Sequence, residues 1–150
     1  MSDEELQGPW LQTAVFCDRV LHEKDDVISL IRIVDRFTVT AEGPEPPARM
    51  PAGGQLNVTG MLMFKSGFAR GSYPVKIVGR TPNNRPTREI ELPMFLEGED
   101  RGVNLGFQMT IQNLEEGLYW FDVMVGDRVV TRMPLRVIYQ RIVRQARPPR

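Results

Sequence analysis

Residues 114–130, Leu-Glu-Glu-Gly-Leu-Tyr-Trp-Phe-Asp-Val-Met-Val-Gly-Asp-Arg-Val-Val, constrain the fold more than any other part of the chain. They read as a turn, a strand, a tight reversal and a second strand. Tyr119, Phe121, Val123 and Val125 alternate with Trp120, Asp122 and Met124, and a period of two sends one set to one face of a sheet and the other set to the opposite face. An apolar sheet face has to be covered, so the hairpin implies a second layer. Two registers fit the reversal. A two-residue Gly126-Asp127 loop matches type II′ turn chemistry, whereas a three-residue loop through Arg128 sets Phe121 opposite Met133 and Tyr119 opposite Leu135. The second is preferred, because it keeps Arg132 and Arg136 out of the core, where an unpaired arginine is costly.

The rest of the chain repeats the theme. Thirteen glycines and twelve prolines punctuate short runs rich in Val, Ile, Leu, Phe and Thr, which argues for strands and against helices. Strands are expected over residues 13–21, 27–39, 56–65, 72–78, 88–92, 103–111, 118–125 and 129–138. The run 27–39 is apolar on both parities, so it is either central with both faces covered or bent part way along. Gly60 marks a bulge or a close backbone approach, and Pro74 assigns 72–78 to a sheet edge. Residues 41–54, with Gly43-Pro44, Pro46-Pro47, Pro51 and Gly53-Gly54, are excluded from a central ladder and form a functional loop or a crossover between sheets. The expected fold is all-β: a two-sheet antiparallel β-sandwich of about eight strands, immunoglobulin-like or Greek-key. Gly117-x-Tyr119 at a strand entrance resembles the tyrosine corner of such sandwiches, in which the phenol hydroxyl bonds a backbone group just upstream. The expected organisation is an amino-terminal extension (1–12), the sandwich domain (13–138) and a basic carboxy-terminal tail (139–150).

Composition narrows the function. At 150 residues with 41% hydrophobic content the chain is of single-domain size and buries roughly 70% of its unfolded surface. Lys plus Arg (19) equals Asp plus Glu (19), leaving no global field to concentrate nucleic acid or an anionic membrane. The start lacks the basic and apolar regions of a secretory signal, no apolar run reaches membrane-spanning length, and Cys17 has no partner for an internal disulfide, so a cytoplasmic location is expected. The ends nonetheless differ in sign: residues 1–26 hold seven acids against two bases, and the stretch from Tyr139 onward holds Arg141, Arg144, Arg147 and Arg150 with no acid.

Candidate chemistry is sparse. Cys17 and His22 raise a cysteine nucleophile with a histidine base, but on a strand an odd separation points the two to opposite faces, and a free cysteine acts more often as a small buried hydrophobe. With one His and one Cys, no zinc set exists in the monomer. Asp25-Asp26 and residues 97–100 lack the ladder of a calcium loop. The glycine-bearing stretches 67–72 and 102–106 match hairpins rather than a phosphate cradle leading into a helix. No catalytic residue, metal or cofactor is therefore expected. Trp120 and Met124 fall opposite the inward set of their strand, and Trp10, Met61, Met63 and Met94 are further candidate contacts, unless a segment around Trp10 covers the outward face.

Residues 14–20 (Ala-Val-Phe-Cys-Asp-Arg-Val) and 28–33 (Ile-Ser-Leu-Ile-Arg-Ile), with the closing pair 117–123 and 130–137, resemble a family of small bacterial β-sandwich proteins of unknown function. The resemblance spans residues 14–138 and implies neither an activity nor catalytic residues. The proline-rich insert and the basic end read as additions of this member. The expected function is a non-enzymatic interaction or scaffold module. It binds a protein partner or a second copy of itself through an edge strand or an exposed apolar patch, with Trp120, Met124, Arg141 and Arg144 as contacts. The alternative is a module for a carbohydrate or nucleotide, held by loops at one end of the sandwich through Phe68, Arg70, Arg101 and Asn104.

Overall fold

A computed structural model describes residues 7–145. Nine strands form two sheets: β1 (Trp10–His22), β2 (Ile28–Val34), β3 (Arg36–Gly43), β4 (Gln55–Gly67), β5 (Gly71–Arg80), β6 (Ile90–Leu96), β7 (Glu99–Gln112), β8 (Gly117–Val125) and β9 (Arg128–Val143). One sheet has the order β2-β1-β4-β7 and the other β3-β9-β8-β5-β6. All neighbours are antiparallel except β3 and β9, which run parallel. Among the described residues no helix is long and apolar enough to cross a membrane.

The ninth strand arises where one had been expected over 27–39. That run breaks at Asp35, β2 pairing with β1 in the four-stranded sheet and β3 with β9 in the five-stranded one. Crossing from one sheet to the facing one inverts which side of the strand is inward. The half-buried apolar residues before the break are Ile28, Leu30 and Val34, and after it Phe37, Val39 and Ala41, so both parities had to be apolar. The carbonyl of Asp35 accepts the amide of Arg136 at 3.0 Å, starting the new ladder at the break. The chain crosses without reversing, and β9 runs in that same direction, so the new pair is parallel.

The core lies between the sheets. Phe16 on β1 meets Phe107 on β7 edge-on at 6.2 Å and Phe121 on β8 across the interior at 5.5 Å. Gly60 makes the first contact possible: a Cβ there would sit 2.1 Å from Cζ of Phe107. The β4–β7 register runs unbroken through Gly60, so this glycine makes room for a ring and is not a bulge. Tyr119 is fully buried, stacked on Phe121 at 6.2 Å, and its hydroxyl accepts the Glu115 amide at 2.9 Å. That is the expected tyrosine corner. Burial, outweighing the bond from Glu115, pushes the phenol up from its ordinary pKa.

The final hairpin combines both candidate registers. The turn is the two-residue Gly126-Asp127, with Val125 opposite Arg128 and Gly126 at φ 57°. A shift between Val123 and Met124 then brings Phe121 opposite Met133 and Tyr119 opposite Leu135. The preferred pairing of the core residues is present, but a bulge supplies it and the three-residue loop does not form. Met133 and Leu135 are buried, Arg132 and Arg136 exposed.

Strand β5 corrects the reading of Pro74. It lies inside its sheet, between β8 and β6. The Pro74 carbonyl accepts Gly126 N–H at 3.0 Å, so the proline nitrogen faces the β8 side just beyond the last paired residue, Val125, where no ladder bond is lost. Opposite it stands Pro93 on β6, which is the edge. Strand pairing also runs past both expected domain limits, from Trp10 to Val143. The remaining parts of the two terminal segments, 1–6 with its acids and 146–150 with Arg147 and Arg150, lie outside the described residues.

Residues 44–54 carry the chain from β3 in one sheet to β4 in the other, the crossover alternative. The hydroxyl of Tyr139 donates to the Pro47 carbonyl at 2.8 Å, and Nε and an Nη of Arg141 donate to that of Pro46 at 3.2 and 2.9 Å.

Candidate functional site

Neither residue of the considered nucleophile pair is placed to act on the other. Cys17 lies mid-strand on β1 opposite Ile33 and Thr59, while His22 ends the same strand opposite Ile28. Five residues of extended chain separate them by about 16 Å. Burial pushes the thiol of Cys17 up from its ordinary pKa, the bond from Arg19 only partly offsetting it, which keeps the sulfur protonated. Among the described residues no three His, Cys, Asp or Glu side chains converge as a metal set.

The residues proposed to hold a small ligand are partly brought together. Phe68 and Arg70 sit in the β4–β5 turn, and the guanidinium of Arg70 packs over Gly98 in the β6–β7 turn. Arg101 follows that turn, its carbonyl accepting the Ser66 hydroxyl at 2.8 Å. Asn104 stands apart, opposite Met63 on the outer face of β7. None of the four lines either of two open hollows on the surface. One, of about 680 Å³, runs along β5 and β6 from Ser72 to Pro74 and from Glu91 to Phe95. The other, of about 350 Å³, lies between the β2–β3 break and residues 132–134 of β9.

Of the four expected partner contacts, two are occupied within the chain. Arg141 holds the proline loop, and Arg144 pairs with Glu42 at 3.5 Å. Met124 is half-buried and Trp120 is 44% exposed. These two do not form one patch, because Asp122 lies between them with its carboxylate held by Nε of Arg132 at 3.1 Å. Of the other candidates, Met61 and Met94 are buried. Trp10 belongs to the four-stranded sheet, opposite Lys65, and so does not cover Trp120.

The surroundings of Trp120 follow from the pairing, because directly paired residues share a face. Arg80 of β5 is on one side and Pro134 of β9 on the other. Arg136, two residues further along β9, shares that face opposite Leu118. The Arg80 guanidinium donates to the Asn84 side chain at 3.2 Å. Among the described residues the ion pairs involve neither Arg80 nor Arg136. The result is an open indole beside a proline, with two arginines free of carboxylates. Sequence reading found Trp120 from its parity. It missed Arg80 and Arg136, since only the registers of β5 and β9 against β8 bring them beside the ring.

No family model matches the chain, and no curated protein matches it. Among solved structures it is similar to an immunoglobulin-like protein from Pseudomonas aeruginosa, with 13% identity over 87% of this chain and 96% of that one and a TM-score of 0.40.

Proposed function

We propose that this chain is a non-enzymatic, cytoplasmic interaction module that docks an acidic protein segment on the outer face of its five-stranded sheet. The observation that carries the reading is the setting of Trp120, an exposed indole flanked by Pro134, Arg80 and Arg136. Tryptophan and arginine are the side chains most often found at the energetic centre of protein contacts, because each buries a large rigid surface and keeps a polar handle. Two guanidiniums without carboxylates favour a partner that brings its own. The indole and proline favour one that also brings an apolar side chain.

The test is titration of the full chain with peptides rich in Asp and Glu that carry one Leu or Phe, read by fluorescence anisotropy. Trp120→Ala is expected to weaken binding by about 30-fold, the factor that about 2 kcal/mol represents for a central contact. Arg136→Glu is expected to weaken it further as salt is lowered, the reverse of the unsubstituted chain. Equal affinities for the three proteins would overturn the reading.

A further inference from the structure

An open sheet ends in two rows of unpaired backbone donors and acceptors, and a soluble protein normally blocks them with charge, proline, a bulge or brevity. The two sheets present four such edges: β2, β7, β3 and β6. β6 is seven residues long with Pro93 at its middle. β2 is also seven residues long and holds Arg32 in the left-handed region, φ 53°, with its guanidinium drawn to Asp18 at 3.1 Å. β3 has eight residues with Arg36 and Glu42 near its ends. β7 is the exception. It has 14 residues with its charges, Glu99, Asp100 and Arg101, confined to the first three positions beside a register shift, and the stretch 102–114, Gly-Val-Asn-Leu-Gly-Phe-Gln-Met-Thr-Ile-Gln-Asn-Leu, contains no charged residue and no proline.

We propose that β7 pairs antiparallel with β7 of a second copy of this chain about a two-fold axis at Phe107, joining two four-stranded sheets into one of eight. The occupant follows from the charge pattern. An isologous contact sets a strand against itself, so a charge close to the axis comes near its own copy, and the uncharged stretch 102–112 around Phe107 escapes that repulsion. A foreign strand gains nothing from this neutrality, since 102–114 offers no charge to select it. The chain's equal counts of acids and bases leave no net repulsion between copies.

Side-chain parity supports the same register. Centred on Phe107, it sets Val103 opposite Ile111 and Leu105 opposite Met109 on the core side. On the outer side it sets Asn104 opposite Thr110 and Gly106 opposite Gln108. Apolar meets apolar on the core side, and on the outer side no charge meets its like and no apolar side chain meets a polar one. Val103, Leu105 and Met109 pack against the core while staying only half-buried, and a neighbouring strand would cover them.

Sedimentation velocity of the full chain over a rising concentration series tests the proposal, with a dimer expected. Gln108→Lys, doubled by symmetry, is expected to weaken self-association by about tenfold. Thr38→Lys on the β3 edge should leave it unchanged, and melting curves report that each variant is folded. Asn104→Cys with Thr110→Cys, about 20 Å apart within one strand, should oxidise to a covalent dimer if these positions face each other across copies. A monomer at every concentration overturns the proposal, as does a dimer that resists Gln108→Lys and fails to crosslink. Trp120→Ala should leave the dimer intact, so this result and the peptide result stand or fall separately.

Discussion

Replacing Tyr119 by Phe removes one oxygen from the most enclosed aromatic in the protein and leaves the ring in place. The stack on Phe121 at 6.2 Å is untouched, so no cavity term enters. What disappears is the acceptor for the Glu115 amide at 2.9 Å. A typical hydrogen bond contributes about 1 kcal/mol net, and an amide left without an acceptor in a partly enclosed turn costs about 1–3 kcal/mol. The expected loss is therefore about 1–2 kcal/mol, or roughly 3–6 °C in melting midpoint for a domain of this size. A second arm uses pH. Burial raises the phenol pKa in the folded state above that of the unfolded chain, which lies near 10. The neutral phenol's contribution is then complete below pH 10, and it is lost as pH rises past 10 because the unfolded chain ionises first. Phenylalanine has no such titration, so the stability gap between the two proteins should narrow above pH 10. Calorimetric or denaturant unfolding at pH 7 and at pH 10.5 measures both effects. Equal midpoints at pH 7, or a gap that is constant with pH, would refute the tyrosine-corner reasoning.

Gly60→Ala places a Cβ 2.1 Å from Cζ of Phe107 and should cost about 1–3 kcal/mol by overpacking; Phe107→Leu in the same chain should recover part of the loss in a denaturant melt. Arg141→Ala removes both bonds to the Pro46 carbonyl, so limited proteolysis should cut within 44–54 sooner while the global midpoint moves by less than about 1 kcal/mol. Cys17 is buried with its thiol pKa raised. Its alkylation should therefore be slow in the native protein and rapid in denaturant, and rapid native labelling would contradict its placement.

The sheet elements were legible because alternation is a local signal. Phe107, Met109 and Ile111 repeat at period two, and so do Tyr119, Phe121 and Val123; each of these sets faces the core. Partner strands are a different matter. Nothing near residue 74 in sequence says that β8 lies on one side of it, so the rule that confines proline to edges pointed to the wrong strand. The break at Asp35 was visible as apolar residues on both parities, but its resolution into two strands required knowing that the chain changes sheets. The docking surface was half legible for the same reason. Trp120 reads outward from its own strand, while Arg80 and Arg136 lie 40 and 16 residues from it and reach its side only through the β5 and β9 registers. Arg141 and Arg144 read as free basic residues, but the parallel β3–β9 pair brings Pro46 and Glu42 up to them.

Chemical-shift mapping of the labelled chain during titration with an acidic, leucine-bearing peptide probes the docking face most directly. The expected perturbations cluster at Arg80, Leu118, Trp120 and Arg136 and fade with added salt. Perturbations gathered instead at Phe68, Arg70 and Arg101 would move recognition to the loop end of the sandwich and contradict the assignment.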